Sequence, residues 1–112
     1  MPSTVLVLGA RGRFGLAAAR AFADAGWQVL AQMRPGAQVP AEAVSDCRIK
    51  WLAADLRDTA AVARAAQGAC VVVHALNPPY TNAAWQAQAM PLTEAAIGIT
   101  RALHATLMFM GN

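Results

Sequence analysis

The stretch Thr4-Val5-Leu6-Val7-Leu8 runs without a break into Gly9-Ala10-Arg11-Gly12-Arg13-Phe14-Gly15, and that junction restricts the fold more than any other part of the chain. A β-branched, apolar run with no polar alternation is the pattern of a strand covered on both faces, as in a parallel sheet. Phe14 to Ala25 then carries Leu16, Ala17, Ala19, Arg20, Phe22 and Ala23 among helix-forming alanines, and Gly26 supplies a stop. A strand that passes straight into a helix must turn within a few residues, and glycines at 9, 12 and 15 permit this. Gly9 serves the sharp turn, Gly12 lets backbone N–H groups approach an anion without a Cβ in the way, and Gly15 allows the helix to pack closely on the strand. The helix start adds free N–H groups and the positive end of its dipole. A Walker-type phosphate loop is excluded, because no Lys-Ser or Lys-Thr follows the glycines and the single lysine is Lys50.

The remaining chain repeats the alternation. Trp27 to Met33 reads as a strand broken by Arg34-Pro35-Gly36, Pro40 to Val44 as a short helix, and Arg48 to Ala53 as a strand. Thr59 to Ala66 reads as a helix with Asp58 as N-cap and Gly68 at its end, and Cys70 to Leu76 as a further apolar strand. After a loop at Asn77 to Asn82, a long helical stretch from Ala83 to about His104 contains Pro91 and Gly98 as points of kinking or division, and Thr106 to Met110 reads as the last strand. Strands alternating with helices predict a doubly wound parallel α/β sheet of about five strands.

With 112 residues, 57% of them hydrophobic and 13% charged, the chain fits one α/β domain spanning 1–112. No apolar run reaches the ~18–20 residues that cross a bilayer, and no secretory signal precedes the first strand, so a cytoplasmic setting without membrane association is expected. Cys47 and Cys70 are too far apart for a metal knuckle or a redox pair; both are expected to be small buried hydrophobes, with no metal site. A net charge of +3 without a Lys/Arg run argues against nucleic acid and suits an anionic small molecule.

The glycine triplet between strand and helix marks a Rossmann-type site for NAD(P). NAD-binding units usually place Asp or Glu at the end of the second strand, where this chain reads Ala31-Gln32-Met33-Arg34. Arg34 stands where a guanidinium would meet a 2′-phosphate, with Arg11 or Arg13 completing a clamp, so NADP is expected ahead of NAD. The plainer reading of Arg34 and Arg13 is as solvated surface residues.

On these residues the chain resembles the extended and atypical short-chain dehydrogenase/reductases, especially the NAD-dependent epimerase/dehydratase group. The glycine motif, Asp55-Leu56-Arg57-Asp58 after the third strand, Val73-His74-Ala75-Leu76 ending the fourth, and Arg34 carry the resemblance in order along the chain. It implies that Asp55 accepts from the adenine amino group, that Leu56 contributes a backbone contact, and that Ala75, Leu76 and Asn77 pass beside the cofactor. Phe14, within the glycine loop, joins Gly9, Arg11, Gly12, Arg13 and Gly15 among the expected cofactor-binding residues. His74 is expected to be a core histidine.

The family catalyses with a Tyr-x-x-x-Lys pair, whereas Tyr80 and Lys50 here stand in the wrong order, so no catalytic residue is assigned. The chain is therefore expected to be the truncated front part of an NADP-preferring reductase or epimerase-like oxidoreductase, inactive alone. The competing reading is a noncatalytic NADP-sensing module. A methyltransferase using S-adenosylmethionine also starts with strand, glycine loop and helix, but normally needs an acid after its second strand. With the last strand's outer edge left unpaired, the isolated chain is expected to self-associate.

Overall fold

The computed structural model describes residues 3–76 and 82–109, and for 82–90 the backbone alone. The elements follow in the order β1 (Thr4–Leu8), α1 (Arg13–Asp24), β2 (Gln28–Met33), a short 3-10 turn (Ala41–Ala43), β3 (Ile49–Ala53), α2 (Thr59–Ala65), β4 (Ala69–His74), α3 (Asn82–Leu103) and β5 (Thr106–Phe109). All five strands lie parallel in one sheet ordered β3-β2-β1-β4-β5, which is the Rossmann-like arrangement expected.

β1 sits in the middle, and Val5, Leu6, Val7 and Leu8 are fully buried. Its side chains alternate between two cores, as period-2 geometry requires. Val5 and Val7 pack with Ala19 and Ala23 of α1 and with Val29, Ala31, Ile49 and Val73. Leu6 and Leu8 pack on the opposite face with Val62 of α2, Ala96 and Ile99 of α3, and Val72. The apolar composition is thereby explained: the sheet has no wet face at its centre.

Local chemistry sets the helix ends. Asp58 caps α2, its carboxylate accepting from the Ala61 N–H at 3.1 Å. α3 runs as one helix through Pro91 rather than dividing there. It lies along α2, with Gly98 opposite Thr59, and Ala96 and Ile99 are buried in the core, so tertiary packing overrides the local break. Both cysteines are exposed, contrary to the sequence expectation. At Cys70 the cause is a register shift: Thr4 pairs with Ala69 but Val5 pairs with Val71, leaving Cys70 as an extra residue whose side chain turns outward. Cys47 lies in the turn before β3, between Asp46 and Arg48, which are joined by an ion pair.

The passage from β1 to α1 is fixed by two glycines. Gly9 has φ +75°, a left-handed conformation, and a Cβ there would stand 2.9 Å from the Ala75 carbonyl oxygen. A Cβ on Gly15 would strike the Gly9 carbonyl oxygen and lie 2.8 Å from the Ala10 Cα, so the first turn of α1 rests directly on the loop backbone. At Gly12, with φ −71° and ψ 166°, an added Cβ meets nothing nearer than the Gly9 oxygen at 3.5 Å.

These contacts predict opposite outcomes for two small substitutions. Gly15→Ala should destabilise the chain by roughly 1–3 kcal/mol, because backbone must move to admit the methyl group. Gly12→Ala should stay within about 1 kcal/mol of the wild type. Urea denaturation of the two variants measures both; equal losses would mean that α1 does not rest on the loop as described.

Candidate functional site

Every strand of a parallel sheet ends at the same edge, and the C-terminal edge here gathers most of the residues singled out by sequence. The crevice forms beside β1, where the chain's crossovers reverse direction and neighbouring connections leave on opposite faces. The glycine loop emerges there next to the end of β4: the Ala75 N–H donates to the Leu8 carbonyl at 3.1 Å, and Gly9 lies against Ala75 and Leu76.

The loop's backbone donors divide into two sets. The Gly9 N–H donates to Gln32 Oε1 at 2.9 Å, the Ala10 N–H to the Gln32 carbonyl at 3.1 Å, and the Gly12 N–H to the Gly9 carbonyl at 3.2 Å. The N–H groups of Arg11, Arg13, Phe14 and Gly15 have no acceptor among the described residues. They belong to the loop and the first turn of α1, where no acidic side chain stands, so the opening is electrostatically suited to an anion. Gly12 caps this helix with no side chain over the free donors. The donor set and the unfilled space at Gly12 fit a pyrophosphate.

Arg34 follows β2 directly and is exposed. It borders a hollow of about 500 Å³ together with Arg11, Pro35, Gly36 and Gln38. It also borders a second cleft of about 470 Å³ with Gln32, Asp55, Leu56, Arg57 and Leu92 of α3. Shared walls at Arg34 and Pro35 join the two into a trough running from the glycine loop past the ends of β2 and β3. Arg13 and Phe14 are exposed at the start of α1 and border neither hollow, so Arg11 is the loop arginine that meets Arg34.

Asp55 is engaged with Arg57. Its carboxylate accepts from the Arg57 guanidinium at 2.7 Å and from the Arg57 backbone N–H at 2.9 Å, which brings its pKa down to about 2. Leu56 is half-buried and packs toward the core beneath α2 and α3. Asn77 and Tyr80 lie outside the described residues. His74, at the end of β4, is a buried and satisfied histidine: Nδ1 accepts from the Leu76 N–H at 3.2 Å, which leaves Nε2–H to donate toward Thr93 Oγ1 at 3.4 Å. Burial pushes its pKa below the ordinary histidine value.

Gln32 is the residue that sequence reasoning passed over. It appeared only as the place of a missing acid, yet it is buried and bonded on both sides, with Nε2 donating to the Ala54 carbonyl at 2.8 Å. A polar side chain following the apolar run Val29-Leu30-Ala31, next to the end of the strand, was the available signal.

Residues 1–108 match a family model described as the NmrA-like family. No curated protein matches the chain. An oxidoreductase of the short-chain dehydrogenase/reductase family from Burkholderia thailandensis aligns with a TM-score of 0.67 at 28% identity, over 97% of this chain and 51% of its own. A Burkholderia pseudomallei protein with the provisional name of an exported protein aligns at 0.71 and 27%, over 96% of this chain and 47% of its own. A nucleoside-diphosphate-sugar epimerase from Pseudomonas aeruginosa shares the fold, with a TM-score of 0.73 at 23% identity over 96% of this chain and 32% of its own. The chain thus spans between 32% and 51% of the length of these structures. Among the described residues no helix is long and apolar enough to cross a membrane.

The Asp55–Arg57 pair generates a direct test. An NMR titration of the Asp55 carboxyl should give a midpoint of about 2, and Arg57→Ala should return it toward the usual aspartate value. Since the folded value is the depressed one, the contact favours the folded chain above the ordinary aspartate range and is lost as pH falls through about 2. An ordinary midpoint in the wild type would show that the pair is not populated in solution.

Proposed function

The chain belongs to the NmrA-like family, and from that premise we propose that it binds NADP in preference to NAD along the C-terminal ends of β1, β2 and β3. The domain is of the NAD(P)-binding, oxidoreductase-like kind. In this reading the pyrophosphate meets the free N–H groups of Arg11, Arg13, Phe14 and Gly15, while Gly9 forms the turn and Gly12 leaves room. Asp55 and Leu56 flank the adenine; the Arg57 contact keeps the Asp55 carboxylate ionised and able to accept from an amino group. Ala75 and Leu76 border the far side, next to the turn, and Asn77 is assigned to the cofactor with them. The single observation that carries the NADP preference is that Arg11 and Arg34 line one hollow at the end of a strand that offers no acid.

A bound nicotinamide supplies or takes up a hydride, and the whole protein is proposed to be a reductase or epimerase-like oxidoreductase. These 112 residues hold the cofactor without turning substrate over, because Tyr80 and Lys50 stand in the wrong order for proton exchange. The same observation suits a noncatalytic NADP-sensing module. A cytoplasmic setting goes with this reading, supported by two free, exposed cysteines that a reducing compartment keeps as thiols.

Calorimetry with NADP⁺ and NAD⁺ tests the cofactor assignment. NADP⁺ should bind roughly 10- to 150-fold more tightly, the equivalent of about 1.5–3 kcal/mol for a charge-assisted contact. Arg34→Ala should bring the two affinities within a few-fold of each other. Equal affinities in the wild type, or tighter NAD⁺, would remove Arg34 from this role.

The chain is also proposed to self-associate through β5. Among the described residues no strand pairs with its outer edge, and Met108 and Phe109 are 46% and 58% exposed beside it. Sedimentation velocity across a tenfold range of concentration should show a rising mean mass; a monomer independent of concentration would refute the assignment.

A further inference from the structure

Gln32 ties three strand ends together with one side chain. It is 2% exposed at β2; Oε1 accepts from the Gly9 N–H at the end of β1, and Nε2 donates to the Ala54 carbonyl just past β3. The partners fix the orientation of the carboxamide, because an N–H requires the oxygen and a carbonyl requires the NH₂ group. Its backbone carbonyl takes the next donor, the Ala10 N–H. Two successive loop donors are thus held by one residue, and Gly9 is kept in its left-handed conformation at φ +75°.

We propose that Gln32 is a positioning residue for the dinucleotide: by holding the N–H groups of Gly9 and Ala10 against β2, it directs the free N–H groups of Arg11, Arg13, Phe14 and Gly15 outward as a preformed anion cradle. The inference rests on the cofactor reading above and adds to it the residue that sets the shape of the loop. Without the carboxamide the part-buried Gly9 N–H and Ala54 carbonyl lose this partner, and the loop relaxes to satisfy them at the expense of the cradle. Arg11 and Arg34 are left in place, so overall affinity falls while the choice between the two cofactors stays. Only a group that accepts on one side and donates on the other fits. Methionine has the length and neither bond, whereas glutamate reproduces both bonds when protonated and one when ionised.

The experiment compares the wild-type chain with Gln32→Met and Gln32→Glu, by calorimetry with NADP⁺ and NAD⁺ and by amide hydrogen exchange. Gln32→Met should weaken both cofactors by about tenfold or more with their ratio preserved, and should speed exchange at Gly9 and Ala10. In Gln32→Glu the introduced carboxyl faces the Ala54 carbonyl, with Arg34, Asp55 and Arg57 around the adjoining cleft and Arg11 on the loop side. Its affinity should stand within a few-fold of wild type at about pH 5 and fall about tenfold relative to wild type by about pH 8, as the carboxyl loses the proton it donates to Ala54. This profile keeps the proposal open to refutation should Gln32→Met fail to fold. A wild-type chain that binds neither cofactor defeats the cofactor reading and this inference with it. A wild type that binds, alongside a folded Gln32→Met of unchanged affinity or unchanged Gly9 exchange, defeats the inference alone. So does a Gln32→Glu profile parallel to wild type, or a collapse of the cofactor ratio in Gln32→Met.

Discussion

Gly15 and Gly9 meet backbone to backbone, with no space between them for a methyl group. That contact sets the distance between α1 and β1, and the distance in turn decides where the first turn of α1 points its free N–H groups. If the helix stood further out, the Arg13, Phe14 and Gly15 donors would leave the crevice beside β1, and the turn at Gly9 would lose its support from Ala75. The rest of the site is arranged around this fixed point: β2 delivers Gln32 and Arg34 to one side, and β4 delivers Ala75 and Leu76 to the other.

Charge is distributed to match. The chain's net +3 is modest, but two of its arginines, Arg11 and Arg34, converge on one hollow with no carboxylate lining it. Two other arginines are matched locally: Arg57 with Asp55, and Arg48 with both Asp24 and Asp46. Exposed pairs of this kind add little to stability. What focuses positive charge at the sheet's C-terminal edge is the convergence of Arg11 and Arg34 on a hollow without a carboxylate.

Much of this organisation was legible in the sequence because it follows from local rules. The unbroken apolar run of β1 announces two-sided burial, and the glycine spacing announces the turn. Asp58 announces the start of α2, since a carboxylate three residues before an unpaired N–H is a local signal. What was not legible depends on pairing across the sheet. Nothing near Cys70 reveals that β4 slips by one residue against Thr4, so its outward side chain could not be foreseen. Nothing near Gln32 reveals that Gly9 and Ala54 will stand on either side of it, because both are brought there by crossovers. The choice between Arg11 and Arg13 likewise turns on the direction in which the loop leaves β1. Pro91 misleads in the opposite sense: its local rule is sound, but α3 is held by its packing on α2 and the sheet.

The position of β1 has a consequence for how rigidity is shared out. Val5 to Leu8 have no solvent contact, and Val5 to Val7 are paired on both sides, while among the described residues β5 is a four-residue edge strand with exposed side chains. Backbone amides of β1 can meet solvent only when both layers of helices have come away, so they report the global unfolding event, whereas β5 can fray by itself. The domain is therefore graded, stiff at its middle and soft at one margin. A ligand gripping the end of β1 draws on the stiffest part, and what happens at the β5 margin reaches it only weakly.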